Sequence, residues 1–153
     1  MPVTGFDHAA LPTADSERFL AFYKGLGFGI EGEEAWRAGT MPIFSITFGD
    51  NKINVHTEEL FERSRTIPGF LRGPTAEPGC GDFCFVWEGG IDALAALLAE
   101  QGVEAIEGPV PRIGGRGAGT GQGISVYTRD PDDNLLEFIS YDADDVARYS
   151  GSA

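Results

Sequence analysis

The chain has 153 residues, 42% of them hydrophobic, enough for one well-buried domain or two small packed halves. Its 24 acidic side chains against 11 basic ones give a formal charge of −13, which argues against nucleic acid as a partner because a phosphate backbone would be repelled. No segment is long and apolar enough to cross a bilayer, so a membrane is not expected as a partner either.

In chain order, MPVTGFDHAALP lacks the basic start and apolar stretch of a secretion signal. GFDHAAL reads as a strand. TADSERFLAFYKGLGF reads as a helix, with Thr13 or Asp15 as N-cap, Phe19, Phe22 and Tyr23 along one side, and Gly25 and Gly27 able to end it. A weak strand is expected over 29–36, then a hairpin in PIFSITFGDNKINVHT that turns at Gly49 to Asn51. Residues 58–79 are proline-bearing and irregular, and read as a linker. GDFCFVWEG is a strand, IDALAALLAEQG a helix, and VEAIEGPV a short strand. The glycine-rich RIGGRGAGTGQG follows, and SVYTRDPDDNLLEFISY closes a second hairpin before a tail over 143–153. Cys80 and Cys84 read as lying on one strand, roughly 13 Å apart and too far to bridge, so free thiols and a cytoplasmic location are expected.

The order of elements repeats. His8 aligns with Asp82, Leu20 and Ala21 fall on Leu94 and Ala95, and His56 and Glu137 each lie near the end of the last strand of their half. The expected architecture is α+β, a single domain over 1–153 made of module one (4–57) and module two (80–142). Strand alternation sorts the side chains. His8 lies opposite Ala9 and Leu11, and Asn54 and His56 lie opposite Ile53 and Val55. Asp82 and Cys84 lie opposite Phe83, Phe85 and Trp87, and Glu137 lies opposite Leu136 and Phe138. The bulky faces are the natural seats for helices, which leaves the polar residues on the other side.

Glu137 therefore poses a question, since a carboxylate amid an apolar strand is costly without a partner. The chain has only two histidines, and they sit at positions that the repeat pairs with Asp82 and Glu137. Four such Lewis bases on four strands can hold a divalent ion; imidazole with carboxylate suits zinc, nickel, iron or manganese. Such a cation would offset the burial of Glu137. Alternatives stand beside this: Asp82 can cap a turn with Gly81, and Glu137 can pair with Arg112 or Arg129.

FDHAALPTADSERFLAFYKGLGF, FGDNKINVHT, GDFCFVWEG, EGPVPRIGGRG and SVYTRDPDDNLLEFISY together resemble the vicinal oxygen chelate superfamily, in particular a bacterial glyoxalase-domain subgroup. That superfamily includes glyoxalase I, extradiol dioxygenases, and fosfomycin and bleomycin resistance proteins. The resemblance implies two tandem βαβββ modules whose curved sheets surround a cleft holding the ion, with His8 and Glu137 in ligand positions. This sequence has Asp82 where glyoxalase I has histidine, and Asn54 and His56 where it has glutamate. The implied metal ligands are thus His8, His56 and Glu137, with Asp82 as a fourth ligand or as a group orienting a histidine or water. Glu137, or Asp82 if free of metal, is the candidate general base. In the glycine-rich stretch, read as a mobile loop, Arg112 and Arg116 can clamp an anionic oxygen pair, and Tyr127 can donate a proton to the substrate; the plainer readings are a flexible hairpin connection with solvated arginines and a tyrosine packed between the modules. The function implied is a divalent-metal-dependent lyase, isomerase or dioxygenase acting on a small oxygenated substrate; the alternative is a metal-free protein sequestering a drug. The family habit implies a homodimer.

Overall fold

The computed structural model describes residues 2–151, so residues 152 and 153 of the expected tail lie outside the described residues. The chain divides into two compact units, Met1–Gly81 with Pro131–Asp133, and Asp82–Asp130 with Asn134–Ala153.

The first unit runs β1 (His8–Pro12), α1 (Ser16–Gly25), β2 (Gly29–Glu31), α2 (Glu33–Arg37), β3 (Ile43–Phe48), β4 (Asn51–His56) and α3 (Glu58–Thr66). Its sheet has the order β1-β4-β3-β2, with β1 parallel to β4 and the other pairs antiparallel. The second unit runs β5 (Asp82–Val86), α4 (Ile91–Glu100), β6 (Glu107–Gly114), α5 (Arg116–Gly119), β7 (Gly121–Arg129), β8 (Leu135–Ser140) and α6 (Ala143–Tyr149). Its sheet has the matching order β5-β8-β7-β6, with β5 parallel to β8. The fold is therefore α+β, built from two like four-stranded sheets.

Local chemistry explains the elements. Asp15 accepts from the Arg18 N–H at 3.0 Å and so starts α1; Gly27, at φ 87°, follows its end in the left-handed region that favours glycine. Phe19, Leu20 and Tyr23 form one buried stripe of α1 and meet Phe44, Ile46, Ile53 and Val55 from the sheet, with Phe19 and Phe44 ring centroids 6.3 Å apart. In the second unit Ile91, Leu94 and Leu98 of α4 are buried with Ile124, Val126, Leu136 and Phe138. Each such side chain contributes about 1.5–3 kcal/mol through burial. Trp87 turns to the helix side as its alternation requires, edge-on to Phe138 and donating to the Gly90 carbonyl at 2.9 Å.

Three expectations are corrected. Only Gly29–Glu31 of the strand expected over 29–36 is extended. Gly32, at φ 81°, turns the chain into α2, which is held by Glu33 paired to Lys24 and Arg37. The presumed linker opens as α3, because Thr57 caps it and Leu60, Phe61 and Ser64 bury one side. The tail forms α6, capped by Asp142, which accepts from the Asp144 and Asp145 N–H groups. The glycine-rich run contains the hairpin of its plainer reading, with Gly114 paired to Gly121 across β6 and β7. Other residues rest on three of its glycines: a Cβ on Gly114 would overlap the Tyr141 hydroxyl, one on Gly121 would sit 3.0 Å from Tyr141, and one on Gly123 would sit 2.7 Å from Ile139. No helix among the described residues is long and apolar enough to cross a membrane.

Candidate functional site

Each sheet buries one face under its helix and leaves the other open. In the first unit the register sets Ala10 beside Asn54 and Pro12 beside His56, with His8 beside Lys52. His8, Asn54 and His56 thus share the open face. His8 is a diagonal neighbour of Asn54, about 8 Å away by strand rise and spacing. His56 lies four rungs along, roughly 14 Å from His8 by the same reckoning. The repeat also registers differently from the expected alignment. Glu137 pairs with Cys84 on β5 just as Asn54 pairs with Ala10 on β1, so the counterpart of Glu137 is Asn54, not His56.

The Nδ1 of His8 meets the exposed Asp7 carboxylate, which leaves Nε2 for whatever occupies the open face. Asn54 Oδ1 accepts from the Ser45 hydroxyl at 2.8 Å. His56 is half-buried, and burial holds its imidazole below the usual histidine range, so it is neutral near pH 7. A pocket of about 220 Å³ lies over this face, with His8, Asn54 and His56 on its floor and Phe61, Leu71 and Arg72 among its walls. The walls come from α3 and the segment after it. Sequence reasoning missed them: the Thr57 cap and the Leu60–Phe61–Ser64 spacing were legible signals for α3, whereas nothing in the sequence singled out Arg72.

In the second unit Asp82, Cys84, Ser125, Tyr127 and Glu137 share the open face. Glu137 is half-buried and answers its own question with hydroxyls. Ser125 donates to Glu137 Oε1 at 2.5 Å. Burial first, and Glu137 beside it, raise the Tyr127 hydroxyl above its ordinary pKa, against an opposing pull from Arg112. The Cys84 thiol is pushed up to about 12, chiefly by loss of surrounding water and then by Glu137, so it is a protonated, unreactive neighbour. Arg112 reaches Glu137 only through Tyr127: Nε donates to Tyr127 at 2.9 Å, Nη2 to Glu107 at 2.9 Å and Nη1 to the Pro111 carbonyl at 3.0 Å. With those donors committed, Arg112 acts as a strut for Tyr127. Arg116 is exposed and stacks over Tyr141, 4.7 Å from the ring centre. Asp82 is exposed at the start of β5.

The model of the Glyoxalase/Bleomycin resistance protein/Dioxygenase superfamily matches residues 5–138. The chain belongs to that superfamily. It is 32% identical over 146 residues to glyoxalase domain-containing protein RDO1 of Mycosarcoma maydis, a match covering 92% of this chain and 70% of that one. It is also 32% identical over 143 residues to virulence protein STM3117 of Salmonella typhimurium, covering 92% of this chain and 87% of that one. The crystal structure of STM3117 superposes with a TM-score of 0.74 at 29% identity, covering 93% of this chain and all of that one. Lactoylglutathione lyase from Agrobacterium tumefaciens shares the fold, with a TM-score of 0.64 at 19% identity over 92% of this chain and 96% of that one. The superfamily contains both metalloenzymes and resistance proteins, so membership leaves the reaction open.

For this superfamily member, the expected ligand residues stand two to a sheet: His8 and His56 on the first, Asp82 and Glu137 on the second. Among the described residues no group of three or more His, Cys, Asp or Glu side chains is gathered as a metal site. The donor chemistry itself suits a divalent ion. His8 carries the carboxylate partner common to metal-binding imidazoles, and Glu137 is oriented by a hydroxyl.

Proposed function

We propose that the chain is a divalent-metal-dependent enzyme of the vicinal oxygen chelate type, acting on a small oxygenated molecule. The candidate ligands are His8 in the first unit and Asp82 and Glu137 in the second; His56, expected from the sequence as a ligand, is assigned here to face the substrate. The observation that carries this is the register of the duplication. The rungs bearing His8 and Asn54 in one sheet bear Asp82 and Glu137 in the other, always on the face away from the helices.

A bound divalent cation supplies Lewis-acid stabilisation of negative charge on a substrate oxygen. The chain's own residues do the rest. His56, neutral near pH 7, can accept a proton from a substrate carbon or hydroxyl in the pocket. Tyr127, its hydroxyl kept protonated, braces Glu137 together with Ser125. Phe61 and the residues around it exclude water from the floor of the pocket. We further propose a homodimer, as is common in the superfamily, and a cytoplasmic location, with which the two free thiols are in keeping.

The test is elemental analysis of protein purified without added metal. Near-stoichiometric transition metal is expected, lost in both His8→Ala and Glu137→Ala while the circular dichroism spectrum is retained. Folded, metal-poor protein that cannot be reloaded would overturn the reading. It would favour the second one, metal-free sequestration of a small molecule. One observation supports that alternative: the pocket over the first sheet is lined by residues of that unit alone and needs no ion.

A further inference from the structure

We propose that the pocket of the first unit is an anion receptor in which Arg72 and His56 take the carboxylate of a small organic acid with an apolar body. The inference deepens the proposed function by naming a substrate class. It rests on that reading only in using the same open face.

Three observations support it. First, the chain carries a formal charge of −13, yet no Asp or Glu lines this pocket; its ionisable lining residues are His8, His56 and Arg72. With His56 neutral, the fixed charge in this lining is the Arg72 guanidinium, a local site of the opposite sign in so acidic a protein, and it disfavours cationic ligands. Second, Arg72 is held in place rather than solvated. Its side chain is 20% exposed, Nη1 donates to the Ala76 carbonyl at 3.1 Å, and its guanidinium lies 5.9 Å from the Phe61 ring centre. The acid nearest it, Glu77, is 4.0 Å away and half-exposed, a weak partner that an incoming anion can replace. A guanidinium has five N–H donors, and its planar fork matches a planar carboxylate. Third, the remaining walls are apolar: Ala10, Pro12, Phe61 and Leu71 line the same space. A volume of about 220 Å³ is that of several waters, which limits the ligand to a small acid.

His56 completes the receptor as a hydrogen-bond donor to the second carboxylate oxygen, and it also reports on occupancy. Because the chain has two histidines, long-range proton–nitrogen NMR of ¹⁵N-labelled protein resolves each imidazole separately. Butyrate is titrated into protein as purified, with 1-butanol, butylammonium and inorganic phosphate as comparisons. A saturable shift of the His56 signals is expected with butyrate and not with the alcohol or the amine. Arg72→Gln should weaken butyrate at least about tenfold, as removal of a charge-assisted pair does, whereas Glu77→Gln should tighten it by removing a competitor. If Arg72→Gln loses its dispersed spectrum, Arg72→Lys and Glu77→Gln carry the comparison. Unchanged binding in the Arg72 variants, no tightening in Glu77→Gln, or an equal response to butanol would overturn the receptor. Tighter saturation by phosphate would overturn the carboxylate class. Metal content is read on the same samples. Metal-poor protein that cannot be reloaded yet still binds butyrate leaves the receptor standing and removes the metal reading, while metal-loaded protein that ignores butyrate does the reverse.

Discussion

The two units use one framework and dress it differently. In each, a helix that follows the last strand turns back to cap the module's main helix. Glu58 of α3 accepts from the Ser16 N–H at 3.1 Å at the start of α1, and also meets the Ser16 hydroxyl. Asp145 of α6 accepts from the Ile91 N–H at 3.1 Å at the start of α4, and from Ser140 at 2.6 Å. The duplicated element is therefore βαβββα. The open faces differ in kind: the first carries imidazoles and an amide beneath a walled pocket, and the second carries carboxylates among hydroxyls. The helix-side packing is alike in both halves, while the opposite face carries different chemistry in each.

The caps offer the strongest way to break the equivalence. Gly90 precedes α4 without a side chain to cap it, so the buried Asp145 supplies the carboxylate that accepts from the Ile91 N–H. Glu58 is exposed, and α1 has a second cap in Asp15. Asp145→Ala should cost about 2–4 kcal/mol by leaving a buried N–H and hydroxyl without their acceptor, whereas Glu58→Ala should cost about 1 kcal/mol. Urea unfolding of both variants, followed by far-ultraviolet circular dichroism, measures the difference. Equal costs would show that the two post-sheet helices do different work.

That cap pair also explains what could be read from sequence. The sheets, α1, α4 and both hairpins were legible because alternation and helical spacing are local and strong there, as in Ile53 to Val55 against Asn54 to His56. The helices α3 and α6 were missed, α3 despite its Thr57 cap and Leu60–Phe61–Ser64 spacing. Their buried stripes are short, and what holds them is a carboxylate contact to another helix, over 42 residues for Glu58 and 54 for Asp145. The glycine-rich hairpin was harder to read for a related reason: Gly114, Gly121 and Gly123 answer to Tyr141 and Ile139, distant in sequence. Among the site residues, the side of the sheet was readable for His8, Asp82 and Glu137, since a period of two fixes it. The rung was not readable for His56, because pairing register depends on both strands. Arg72 was invisible, because a lone arginine in an irregular segment acquires meaning only from the face it folds over.

A second contrast lies on the faces themselves. Ser125 and Ser45 are both buried serines that hold a strand-borne acceptor. One serves the carboxylate of Glu137 at 2.5 Å and the other the amide of Asn54 at 2.8 Å. A hydrogen bond to an ionised acceptor is worth about 1.5–3 kcal/mol against about 0.5–1.5 kcal/mol for a neutral one. Ser125→Ala should therefore destabilise more than Ser45→Ala, by about 1 kcal/mol, in the same urea measurement. If the carboxylate carries the difference, Glu137→Gln should bring the two serine costs together.

The smallest effect concerns pH, and it belongs to the first unit alone because both histidines are there. Burial lowers the pKa of His56 in the folded protein, so between that value and the unfolded value of about 6.5 the unfolded chain binds more protons than the folded one. Stability contributed by neutral His56 is therefore complete above about pH 6.5 and is lost as the pH falls through the folded pKa. His56→Gln, which keeps a polar neutral side chain, should remove that part of the acid-side decline and leave the neutral-pH value nearly unchanged. Midpoints of thermal unfolding measured in half-unit steps from about pH 5 to pH 8 compare the two proteins across the window in which an unperturbed histidine titrates. Curves that stay parallel throughout would mean that His56 is solvated in both states, and that the floor of the pocket is wetter than its walls imply.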